Sequence, residues 1–102
     1  MIIDHELKIL PCYFKAVSLG DKCFEIRDNS DRGFQKGDKV KLREYEPGVV
    51  SGKYTGLVFV VEITYVTNAY QKDGYVVFGF KKISEGTGNE SETKSDQDQE
   101  KE

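Results

Sequence analysis

The chain is short of the residues from which metal and catalytic centres are most often assembled. It has one histidine, His5, and two cysteines, Cys12 and Cys23. The cysteines are separated by ten intervening residues, with no C-x-x-C spacing, and one histidine with two cysteines does not complete a usual structural zinc set. Both read as free thiols, semi-buried as small hydrophobes, and neither a metal nor another cofactor is expected. Walker and G-x-G-x-x-G motifs are missing, as is any internal repeat. No apolar run approaches the roughly 18 residues of a membrane span, so no membrane role is expected. The opening residues "MIIDHELKIL" lack the basic start, long apolar block and small-residue cleavage site of a secretion signal. With so few cysteines, a reducing cytoplasm is the expected setting.

What is present fits one small domain of 102 residues, 37% hydrophobic and 32% charged. The net charge of −3 is unevenly spread. Residues 84–102, "SEGTGNESETKSDQDQEKE", hold seven acids and two bases and no large apolar side chain. Such a segment cannot bury enough surface to offset its chain entropy, so a disordered acidic tail is expected there. Residues 1–83 form the expected domain and carry a net charge of +2.

Within the domain, "HELKIL" alternates His5, Leu7 and Ile9 against Glu6 and Lys8, a half-buried strand. "PCYFKAVSLG" reads as a short helix: Pro11 suits the first position, Leu10, Phe14 and Val17 recur at helical spacing, and Gly20 fits the end. "KCFEIRDN" returns to period two, with Phe24 and Ile26 expected in the core and Glu25 and Arg27 on the opposite face. "DKVKLREY" is a third strand. "EPGVVSGKY" is an exposed hairpin loop. "TGLVFVVEITYVTN" is β-favouring and apolar enough to be central, and "YVVFGFKKI" closes the set. The expected fold is α+β, mainly β: a small, closed or nearly closed mixed β-barrel of about five strands, with one short helix after the first strand.

The segment "GDKCFEIR" holds the main functional signal. By spacing alone, Lys22, Glu25 and Arg27 fit a solvated strand face. Their place after a helix and a tight glycine turn points instead to a site. There Glu25 would orient Arg27, leaving a guanidinium edge for a phosphate or a base.

The same residues carry a resemblance. "GDKCFEIR" is similar to the G-x-K-x-x-E-x-R signature of ASCH domains of the PUA-like superfamily, through Gly20, Lys22, Glu25 and Arg27. With "HELKI", "YFKAV", "FQKGD", "YTG…ITYV" and "GYVVFGF", it resembles a small ASCH-like family of bacterial and phage proteins over residues 5–83. The resemblance implies a pseudo-barrel with a ligand cleft beside the first helix and a role with RNA or nucleotides. Ligand-binding candidates are Lys22, Glu25 and Arg27, with His5 at the border of the cleft. Some ASCH-like proteins are amidohydrolases of acetylated cytidine, and Lys22 matches their lysine. Their threonine nucleophile is replaced here by Glu25, whose carboxylate would form a mixed anhydride rather than a stable ester. No catalytic residue is assigned.

Lys39, Lys41 and Arg43, ending in Tyr45, form a basic stripe. It reads either as a solvated strand face or as a nucleic-acid-binding track on which Tyr45 stacks a base. The leading expectation is a binder of RNA or a nucleotide-like ligand. The alternatives are an amidohydrolase of an acylated nucleoside and a small protein-interaction module. A monomer is assumed.

Overall fold

A computed structural model describes residues 1–87 and 92–93, with side chains through residue 84. The fold is mainly β. Strand β1 (Ile2–Ile3) is followed by β2 (His5–Ile9), helix α1 (Pro11–Ser18), β3 (Phe24–Asp28), β4 (Lys39–Glu46), β5 (Lys53–Thr67), β6 (Tyr75–Thr87) and β7 (Glu92–Thr93). Five strands form one mixed sheet in the order β2-β4-β5-β6-β3, curled into a half-barrel. β2 runs parallel to β4, and the other neighbours are antiparallel. The long strands β5 and β6 shift register twice, and such bulges bend a sheet and increase its twist.

The expected elements are in place. Pro11 opens α1, where its missing N–H costs nothing. Gly20 ends the turn after the helix at φ 81°, a left-handed conformation that glycine adopts without strain. The concave face of the sheet is filled by Leu7, Val40, Leu42, Phe59, Ile63 and Phe78 among others. Helix α1 adds Phe14, stacked on Phe59 at 4.5 Å between ring centroids, and Val17. Phe34 packs on Phe78 at 4.8 Å from the loop before β4. Leu10, the third member of the helical pattern, is exposed because it is the N-cap residue rather than part of the packed face.

The chain curls without closing by strand pairing: β2 and β3 are the two edges of the sheet. Side chains span the seam instead. Arg27 Nη2 donates to the Lys8 carbonyl at 2.8 Å, and Arg32 Nη1 to the Glu6 carbonyl at 3.4 Å. Carbonyls two residues apart on a strand point the same way, so the two arginines occupy acceptors along one free edge of β2.

Three expectations are corrected. Phe24 and Ile26 are exposed, at 43% and 51%, while Glu25 is buried at 5%. In the β3–β6 register Glu25 lies opposite Phe78 and Arg27 opposite Val76. Directly opposed residues share a face, so the charged pair points inward. The inner face tolerates it because Glu25 meets two cations there. Ile26→Ala is therefore expected to change stability by no more than about 0.5 kcal/mol, as at other surface positions; urea unfolding measures it.

The second correction concerns Lys41, expected on an exposed stripe but only 3% exposed. It is registered between Glu6 of β2 and Val60 of β5, with its ammonium 3.4 Å from Glu6 Oε2. β1 lies against β4, and Ile3 is buried outside the inner core. The outer face of β4 is thus covered at Lys41. The third correction is that Cys12 and Cys23 are exposed free thiols rather than semi-buried ones.

Of the expected tail, residues 84–87 continue β6 opposite residues 57–60 of β5, and Glu92–Thr93 pair in parallel with β1. The rest of the tail lies outside the described residues. Among the described residues, no helix is long and apolar enough to cross a membrane.

Candidate functional site

The seam between β2 and β3 opens into a cleft of about 490 Å³. Its lining includes Lys8, Tyr13, Lys22, Phe24, Glu25 and Arg27. Three elements converge on it. β2 contributes Lys8 from its polar face, α1 contributes Tyr13 from its exposed side, and the turn after Gly20 delivers Lys22. The Lys22 backbone N–H donates to the Ala16 carbonyl at 3.1 Å, which fixes that turn to the helix end.

Glu25 is the hub of the site. Its Oε2 accepts from Lys22 Nζ at 2.6 Å and its Oε1 from Arg27 Nε at 3.1 Å. The buried carboxylate is paired on both oxygens, and each cation keeps donors to spare. Lys22 also donates to the Phe24 carbonyl at 2.7 Å, leaving one of its three N–H groups. Arg27 uses one donor on Glu25 and one on the Lys8 carbonyl, leaving three of five among the described contacts. The Lys22 ammonium lies 5.3 Å from the Tyr13 ring centre and 5.0 Å from that of Phe24. The cleft therefore combines two cationic side chains, one neutralised carboxylate and two half-exposed aromatic rings, with Lys8 at its rim, where the ammonium lies 4.5 Å from the Tyr45 ring centre.

The other sequence candidates fall elsewhere. His5 lies away from the cleft lining: its Nε2 donates to Asp38 Oδ2 at 2.7 Å, and its ring packs 4.6 Å from Phe34. It fastens the loop before β4 to the core. Lys39 sits 3.4 Å from Glu62 Oε1. Arg43 stacks on the Tyr54 ring at 3.7 Å and lies 3.8 Å from Glu6. The Tyr45 hydroxyl accepts from the Gly52 N–H at 3.1 Å. A Cβ at Gly52 would stand 2.7 Å from the Tyr45 ring, so only glycine admits this contact. These residues do not form a continuous free track. Among the described residues no cluster of metal-ligating side chains occurs.

Sequence reasoning missed Lys8, Tyr13 and Phe24 as cleft residues. Their signal was faint: Lys8 sits on the polar face of an edge strand and Tyr13 on the polar side of a short helix. A second cavity, of about 500 Å³, continues the seam beyond Arg27 toward Asp28, Asp31 and Arg32. Asp28 Oδ1 accepts from the Ser30 hydroxyl at 2.6 Å and the Ser30 N–H at 2.9 Å. These bonds hold its carboxyl below the usual carboxylate range, so it is ionised at neutral pH.

Fold and site together define a small half-barrel domain with a charged cleft along its open seam. A family model described as "Domain of unknown function (DUF3850)" matches residues 4–80, and the chain belongs to that family. The matched span includes both edge strands and the whole cleft lining. No curated protein matches the sequence.

Proposed function

We propose that this domain binds RNA or a nucleotide-like ligand in the seam cleft, as an ASCH-like domain would. The carrying observation is that Lys22, Glu25 and Arg27 turn inward into one cleft beside α1. A binding site needs charged donors that are fixed but not consumed, and the shared carboxylate provides that. Glu25 holds both cations in place, while one Lys22 donor and three Arg27 donors remain for a phosphate or a base edge. Tyr13 and Phe24 supply faces on which a base can stack. Lys8 lines the rim of the cleft, and its ammonium, now 4.5 Å from the Tyr45 ring centre, is the nearest further charge for a phosphate. The similarity of Gly20, Lys22, Glu25 and Arg27 to the ASCH signature supports the same reading. The amidohydrolase alternative gains nothing from the geometry, because both Glu25 oxygens are engaged.

The test is an affinity titration of short RNAs and free nucleotides at two salt concentrations. Arg27→Ala is expected to weaken binding by at least about tenfold, the range of a lost charge-assisted contact. It should keep the fold, since Glu25 retains Lys22. Lys8→Ala is expected to lower the salt-dependence slope by about 1, as for a single phosphate contact. Equal affinity of wild type and Arg27→Ala would move the site out of the seam. If wild type binds nothing at low salt, the nucleic-acid reading fails and a protein partner becomes the better candidate.

A further inference from the structure

We propose that the ligand is a strand and not a monomer, with one unit on each side of Arg27; this rests on the nucleotide-binding reading above. The two cavities are consecutive stretches of one seam. Both are walled by Ile26 and Arg27. The first runs on toward Lys8 of β2 and Lys22, the second toward Leu7 of β2, Asp28 and Asp31. Each has the size of a small-ligand pocket. Arg27, tied to the Lys8 carbonyl, forms the bar between them.

Their chemistry differs in a way that gives the ligand a direction. In the first cavity Lys22 and Arg27 outnumber Glu25, so a phosphate is drawn there. In the second, Arg27 and Arg32 are balanced by Asp28 and Asp31, with Phe34 and Tyr75 in the wall. A second phosphate gains nothing from that balance. A nucleoside fits it: the aromatic wall takes the base, and the carboxyl oxygens accept from sugar hydroxyls or an exocyclic amino group. Asp28 has Oδ1 committed to Ser30 and remains ionised. Asp31 is exposed and makes no hydrogen bond or ion pair among the described residues. The phosphodiester then crosses at Arg27, within reach of its spare donors. A base on one side stacks near Tyr13 and Phe24, and a nucleoside on the other side enters the second cavity.

The test compares nucleoside monophosphates with the corresponding ribodinucleoside monophosphates, by calorimetric titration on the full chain. A monophosphate carries about −1.5 to −2 charges at neutral pH, whereas the dinucleotide's single diester carries one. Charge alone therefore ranks the monomer higher, and contacts of the second nucleoside must reverse the order. The dinucleotide is expected to bind at least about tenfold more tightly, in line with one added stacked unit. Asp31→Ala should remove most of that gain. Its monophosphate affinity should stay unchanged or rise slightly, since a nearby negative charge is lost. Monomer and dinucleotide binding alike would overturn the strand inference while leaving the first cavity as the site. A dinucleotide gain that Asp31→Ala does not touch would also overturn it, by removing the second cavity from the contact. Binding of neither ligand would overturn both readings together.

Discussion

Lys41→Ala is expected to cost about 3–5 kcal/mol of folding stability, the range for breaking one side of a buried ion pair. Lys41 is only 3% exposed and Glu6 6%. Removing the ammonium strands the Glu6 carboxylate in a covered layer. Arg43 is its other cation, at 3.8 Å, and Glu6 Oε1 already lacks a hydrogen-bond partner among the described residues. Burying an unpaired carboxylate is far worse than losing the pair entire. The double variant Glu6→Leu with Lys41→Met should thus recover most of the loss, since apolar replacement of both partners is often neutral or stabilising. Urea unfolding of the two variants separates the cases. RNA affinity measured where Lys41→Ala is still folded should match wild type. A stable Lys41→Ala with reduced, less salt-dependent binding would show instead that β4 presents a free basic stripe.

Glu25→Ala is expected to cost about 2–3 kcal/mol and to abolish ligand binding. The stability loss falls below the full range for buried pairs because Lys22 and Arg27 keep side-chain exposures of 16% and 28% and can reach water. Binding suffers more, because two cations that shared one carboxylate would repel and lose their fixed positions. Glu25→Gln keeps one acceptor but not the charge, and should fall between. Thermal melts together with the RNA titration check both effects. A fully stable Glu25→Ala that binds normally would reduce the triad to a surface feature.

Much of the fold was legible because it rests on local rules. Pro11 and Gly20 bracket α1, and period-two runs mark β2 to β6. The phase of β3 was not legible. Alternation says that Glu25 and Ile26 face opposite ways but not which faces in. Hydropathy chose Ile26, and the ion pairs with Lys22 and Arg27 decided otherwise. Lys41 failed for a related reason. Its run alternates like a half-exposed strand, yet at Lys41 the outer face of β4 is buried as the inner face is. The pairing of Glu6 with Lys41 depends on a parallel register between segments 35 residues apart, which no local pattern records. The motif at Gly20–Arg27 could be read as a candidate site from sequence, whereas Lys8 and Tyr13 joined it only through the curling of the sheet.

On the proposed reading, ligand enters at the seam between β2 and β3. Amide and side-chain NMR shifts of the labelled full chain, followed during titration with short RNA, test that most directly. The expected perturbations cluster at Lys8, Tyr13, Lys22, Phe24, Glu25 and Arg27, with Lys39 and Arg43 little changed. Perturbations centred on Lys39, Arg43 and Tyr45 with the seam silent would contradict it.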